Sequence, residues 1–170
     1  MRKEKYIALY EGVYSRPALA KALSVLDTVI TYLTVAVYGF FLGYLLFGDN
    51  TVRGLHFLAV TATPFVIVTL MRRIINAPRP YEVFEHAALA PLKSKGKSGC
   101  SFPSRHVASS FIIGSALCFV MWPVGVAIMT LGLILGFCRV ALGRHFVRDV
   151  IVGGIIGGIA GTVGMLITMI

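Results

Sequence analysis

Two histidines, one aspartate and four arginines stand at the ends of apolar runs in this chain. Arg72, Arg79 and Pro80 follow the second run. Pro103, Ser104, Arg105 and His106 open the third, and Arg139, His145 and Asp149 close the fourth. A charged group beside hydrocarbon is costly, so guanidinium groups gathered at that boundary call for a shared anionic partner. A phosphate at a membrane surface is such a partner. His145 and Asp149 are four residues apart, a spacing that in a helix sets the carboxylate beside the imidazole. A carboxylate on one ring nitrogen fixes the tautomer and leaves the other nitrogen free to attack, as a nucleophilic histidine requires.

Phosphoryl transfer needs little beyond positioning and charge neutralisation. Arg72, Arg79, Arg105 and Arg139 offer forks that bind phosphate oxygens in pairs and neutralise charge in the transition state. His106 is the candidate general acid for the leaving oxygen. Ser104 follows Pro103 and precedes a long apolar segment, which reads as a helix N-cap. The unpaired N–H groups of a helix N-terminus make a ready anion site beside it.

The elements that must position these residues are transmembrane. Of the 170 residues, 57% are hydrophobic and 14% charged, and the mean hydropathy is +0.84. A water-soluble domain of this size cannot bury so much apolar surface. Five runs approach the roughly 20 residues that span a bilayer: 28–47, 55–71, 106–123, 124–142 and 150–170. The second and third are short for full spans. The fold class expected is all-α: a multi-pass bundle of about five spans, preceded by an amphipathic interfacial helix. Residues 1–22 form that interfacial segment and 23–170 the membrane domain, with Pro17 near their junction. Tyr6, Ile7, Leu9, Tyr10, Val13 and Tyr14 would anchor the segment in the bilayer surface. The basic start is not followed directly by an apolar core, so no cleavable signal peptide is expected.

Net charge is +9, which favours anionic head groups. With five spans, fifteen of the sixteen lysines and arginines fall on the side that carries the motifs, and only Arg53 on the other. Without the four proposed phosphate ligands the count is still eleven to one. By the positive-inside rule the chemical site faces the cytoplasm.

Other features carry less. Asp27 begins the first span, where a plain interfacial aspartate is expected and pairing with a nearby arginine is the alternative. The polar loop 81–102 holds Lys93, Lys95 and Lys97 and could serve as a lid or as a plain connection. Within it, 81–86 could form a short interfacial helix. His56 and His86 read as interfacial or surface histidines, and Glu82 and Glu85 as rim residues that repel phosphate. Gly153, Gly157 and Gly161, with Gly154 and Gly158, make a smooth face for helix packing. Packing inside the bundle is favoured, and a homo-oligomer through that last helix is the other option. Cys100, Cys118 and Cys138 show neither a disulfide framework nor metal-ligand spacing.

The chain resembles the type 2 phosphatidic acid phosphatase superfamily of membrane lipid phosphatases. That family carries Lys-x6-Arg-Pro, Pro-Ser-Gly-His and Ser-Arg-x5-His-x3-Asp. Here the three read Arg72-x6-Arg79-Pro80, Pro103-Ser104-Arg105-His106 and Cys138-Arg139-x5-His145-x3-Asp149, in the same order and spacing. The resemblance implies a phosphohistidine mechanism without metal or other cofactor. His145 would attack phosphorus, Asp149 orient it and His106 protonate the leaving group. Arg72, Arg79, Ser104, Arg105 and Arg139 would hold the phosphate.

Three positions depart from the pattern: Arg72 for lysine, Cys138 for serine and Arg105 for glycine. Family members often have six spans, the first of which the amphipathic N-terminus would replace here. Many bacterial members work on the outer face, against the charge count of this chain. The substrate expected is a membrane lipid carrying a phosphate or diphosphate: phosphatidic acid, phosphatidylglycerol phosphate or a prenyl diphosphate. No nucleic-acid partner is expected. The alternative is a binding or transport protein that uses the same cations without turnover; His106, His145 and Asp149 argue against it, because binding alone needs no nucleophile.

Overall fold

The computed structural model describes residues 3–84 and 98–167. His86, Glu85, Lys93, Lys95, Lys97 and most of the proposed lid lie outside them. Among the described residues the secondary structure is helical: α1 (Lys3–Tyr14), α2 (Pro17–Tyr44), α3 (Thr51–Ile75), the short α4 (Pro80–Val83), α5 (Arg105–Ala141) and α6 (Val147–Ile167).

Helix ends are set by local chemistry. Pro17 occupies the first turn of α2, where its missing N–H costs nothing. A π-turn at Leu45–Asp49 closes α2. Asn50 then caps α3 by accepting from the backbone N–H of Val52 and Arg53, at 2.9 and 3.3 Å. Asn76 ends α3 in the left-handed conformation. The second run is therefore not short. With its flanking polar turns α3 has 25 residues, about 37 Å at 1.5 Å per residue.

Among the described residues four helices are long and apolar enough to cross a membrane. The longest, α5, is broken at Met121, whose φ of −149° and ψ of 91° are not helical. Pro123 sits in the first turn of the second arm. The two arms fold back on each other: a Cβ on Gly125 would lie 2.5 Å from the Cys118 nitrogen, and one on Gly132 would lie 2.9 Å from Ser110. Five apolar helical segments result, matching the five apolar runs of the sequence.

Packing is inside out relative to a soluble protein. Large apolar side chains such as Tyr32, Phe40, Trp122 and Phe137 are exposed on the outer faces, where lipid meets them. Glycine, serine and alanine line the helix contacts. Along α6, added Cβ atoms on Gly153 and Gly157 would lie 2.7 and 2.4 Å from the carbonyl oxygens of Ser104 and Ala108. Gly161 meets Ile112 and Ser115 in the same way. This stripe is used within the chain, against the first arm of α5, and that contact fixes Asp149 beside Ser104. Gly154 and Gly158 instead face Phe111 at ordinary contact distance.

The amphipathic stripe of α1 turns toward protein. Tyr6, Tyr10 and Val13 are buried, and Tyr6 and Tyr10 pack with Tyr81 and Phe84, with Phe146 against the same cluster. The Tyr6 hydroxyl accepts from the Val147 N–H at 3.0 Å, and the Tyr14 hydroxyl donates to the Leu142 carbonyl at 3.1 Å. An apolar helical stripe declares that it will be buried, not against what. Here it clamps the turn that bears His145.

Candidate active site

All the motif residues arrive at one end of the bundle. Arg72 ends α3, Arg79 precedes α4, Ser104 to His106 open α5, Arg139 closes it, His145 lies in the connecting turn and Asp149 opens α6. Gly143, with φ of 69°, lets that turn reverse direction. His106, in the first turn of α5, and His145, in the turn that follows its second arm, stand at the same end of the bundle.

The segment before α5 is bound on three sides. Ser101 N–H donates to the Ala77 carbonyl at 2.8 Å, and Ser104 N–H to the Asp149 carbonyl at 2.8 Å. Arg72 donates through Nη1 to the Pro103 carbonyl at 2.9 Å and through Nη2 to the Cys100 carbonyl. Arg72 thus braces the loop that carries Ser104. Arg79 donates from Nε to the Gly99 carbonyl at 3.0 Å. Gly99 has φ of 64°, and a Cβ there would lie 2.1 Å from the Asn76 side-chain oxygen. No other residue fits.

Ser104 occupies the N-cap position, but its hydroxyl makes no capping bond. Its Oγ is buried and has no hydrogen-bond partner among the described residues. An orphaned buried hydroxyl is costly; here it sits beside the N–H groups of the first helical turn, which have no intrahelical acceptor. That donor set suits an oxyanion.

Glu82 is a fastener and not a repelling rim residue. It accepts from the backbone N–H of Arg79 at 2.7 Å, from that of Gly99 at 3.0 Å and from the Ser98 hydroxyl at 2.7 Å. Partial burial pushes its carboxyl up, but these donors outweigh it and hold the group below the usual carboxylate range.

Asp27 differs from the plain interfacial aspartate expected. It is buried, and both its oxygens meet arginines: Oδ1 lies 2.8 Å from Arg139 Nε, and Oδ2 accepts from Arg139 Nη2 at 3.2 Å and Arg144 Nη1 at 2.5 Å. Arg139 is gripped along its Nε–Nη2 edge. Among the described residues no acceptor is shown for its Nη1, which could serve another.

His145 and Asp149 are almost fully buried. Nδ1 of His145 stands 3.7 Å from Asp149 Oδ2, too far for a direct hydrogen bond. The residue between them is Ser101, which sequence reasoning missed. Its hydroxyl donates to Asp149 Oδ2 at 2.6 Å and lies 3.4 Å from His145 Nδ1. Phe146 N–H also donates to Oδ2, at 3.0 Å. The carboxylate is thereby fixed, and the Nδ1 edge of the imidazole faces it.

Burial is the largest influence on His145 and drives it down to about 4. Asp149 pulls it up, while Arg139, Arg79 and Arg72 push it down further. The imidazole is neutral at physiological pH and retains a nucleophilic lone pair. Two effects of pH are expected. The acid limb of kcat/KM, corrected for substrate ionisation, should fall near pH 4 and not near the ordinary histidine value of 6.5. Unfolded chain takes up a proton at His145 between those values and folded chain does not, so this group's contribution to stability is full above 6.5 and is lost as pH falls toward 4. A pH–rate profile and a pH series of thermal midpoints check both.

Comparison with known proteins gives the family and the fold. Residues 53–169 match the family model of the PAP2 superfamily. Undecaprenyl-diphosphatase BcrC of Bacillus subtilis (strain 168) is 30% identical over 149 residues, covering 84% of this chain and 75% of that protein. The crystal structure of Aquifex aeolicus LpxE superposes with a TM-score of 0.68 at 26% identity, covering 94% of each chain. The crystal structure of a transmembrane PAP2-type phosphatidylglycerolphosphate phosphatase from Bacillus subtilis gives a TM-score of 0.74 at 18% identity, covering 98% of this chain and 86% of that one. This last likeness speaks to the fold alone. The chain belongs to the PAP2 superfamily.

Proposed function

We propose that this PAP2-superfamily chain is a multi-pass membrane lipid phosphatase acting through a phosphohistidine. The observation that carries the reading is a buried His145, its Nδ1 edge turned to Ser101 and Asp149, among cations at one end of a membrane bundle. Nε2 attacks phosphorus, the bond to the lipid-side oxygen breaks, and His106 protonates that oxygen. Water then attacks the phosphohistidine, releasing phosphate and restoring the imidazole. Arg79, Arg139 through Nη1, Ser104 and the first-turn N–H groups hold the phosphoryl oxygens. Arg72 shapes the loop and adds charge. The cations supply the charge neutralisation that a metal gives elsewhere, so the mechanism calls for no metal and no other cofactor.

Arg105 marks the border between head and tail. Its guanidinium lies over the Phe65 ring, 5.6 Å from the centroid. Phe65 also lines an apolar cavity of about 320 Å3 with Val35, Tyr38, Thr61, Ser109 and Ile112. A hydrocarbon chain there would leave its phosphate beside Ser104 and His106. The named activity of the Bacillus subtilis relative makes a prenyl diphosphate the first substrate to try; phosphatidic acid and phosphatidylglycerol phosphate come next. A second copy packing on α6 would have to use Gly154 and Gly158, since Gly153, Gly157 and Gly161 are already in contact with α5.

The expected result is phosphate release from a panel of these lipids by purified protein, unaffected by EDTA. No release from any of them, or a strict need for a divalent ion, would overturn the reading. We place the site on the cytoplasmic face of the cell membrane, from the fifteen-to-one charge count. Cys100 is half-exposed beside the site. A membrane-impermeant maleimide should label it only after permeabilisation; labelling in intact cells would put the site outside.

A further inference from the structure

Ser101 is a fully buried polar group that neither the three motifs nor the proposed mechanism uses. Its place is fixed from two directions. Its backbone N–H is held by Ala77, two residues before Arg79, and its hydroxyl donates to Asp149 on α6. A hydroxyl has one hydrogen and two lone pairs. At 2.6 Å the hydrogen goes to the carboxylate, a short charge-assisted bond. A lone pair is then available to the Nδ1–H of His145, 3.4 Å away. The direct path between imidazole and carboxylate is longer, at 3.7 Å.

We propose that Ser101 is a positioning residue that bridges the histidine–aspartate pair, as Nδ1–H to Ser101 Oγ and Oγ–H to Asp149 Oδ2. The bridge does two things. It keeps the proton on Nδ1, so that the lone pair stays on Nε2. When Nε2 bonds phosphorus the ring becomes cationic, and the bridge holds it in line with the Asp149 carboxylate, which stabilises that charge electrostatically. No proton need leave Nδ1. The Ser101 hydrogen bond also tempers the carboxylate, which otherwise would draw on the imidazole directly and raise its affinity for a proton.

This inference rests on the phosphohistidine reading, and the test separates the two. Full-length wild type, S101A and S101C are compared on one lipid phosphate that the wild type hydrolyses. S101A should lose about 10- to 100-fold in kcat, the usual effect of removing a group that orients a reactive ligand. KM should stay within about twofold, because the phosphate-holding groups are untouched. The acid limb of kcat/KM should move to higher pH. S101C, with a weak S–H donor of similar size, should fall between S101A and wild type on both measures. A wild-type kcat in S101A, a loss seen equally in KM, or an unmoved acid limb would overturn the bridge. Should S101A not fold, the same criteria apply to S101C. An inactive wild type would instead sink the phosphatase reading itself.

Discussion

His145→Ala should abolish turnover, by about 10^4-fold or more in kcat, while leaving phosphate affinity within a few-fold. The size comes from the role: removing a nucleophile costs as much as removing the group of residues that acts with it. Retained affinity comes from the geometry. Arg139 is oriented by Asp27 and Arg79 by Gly99, and neither depends on the imidazole. Wild type incubated with lipid labelled in its phosphate and quenched in alkaline detergent should carry an alkali-stable, acid-labile phosphoryl group that the variant lacks. A pure binding protein would behave oppositely, releasing no phosphate before or after the change. If the variant kept more than about a hundredth of wild-type kcat, His145 would not be the nucleophile.

The sequence was most legible where information is local. Three motifs with fixed internal spacing are readable along one dimension, and the fold brings all of them to one end of the bundle. The apolar runs gave the helical segments, and Pro123 coincides with the reversal at Met121 that divides α5. What could not be read is non-local pairing. Asp27 lies 112 residues from Arg139, and nothing in a lone aspartate names its partner. The stripe on α1 reads as an anchor in the bilayer surface, yet protein covers Tyr6, Tyr10 and Val13, because periodicity shows that a face is buried and not what buries it. Ser101 carried no signal beyond its place two residues before Pro103, because serine is common in loops and its value here comes from Asp149 on another helix. Glu82 looked hostile to phosphate because its sign was read without its donors.

Asp27 gives the second large effect. It lies on α2, outside the residues matched by the family model, yet it holds an arginine of the third motif. One buried carboxylate faces two guanidinium groups, and the Arg139 side chain is only 9% exposed. Asp27→Ala leaves that charge buried beside hydrocarbon without its partner. Breaking one side of such a pair costs about 3–5 kcal/mol, because the remaining charge is stranded. The cost should be smaller for Asp27→Asn, which keeps an acceptor oxygen. The variant's thermal midpoint should therefore fall by many degrees, and kcat should fall with it, since Arg139 no longer presents Nη1 in a fixed direction. Inorganic phosphate offers a diagnostic. An anion in the cradle would pair with the freed guanidinium, so phosphate should raise the midpoint of Asp27→Ala more than that of wild type. Equal shifts in the two proteins would mean that Arg139 does not reach the phosphate, and that the grip of Asp27 serves only to hold α2 against α5.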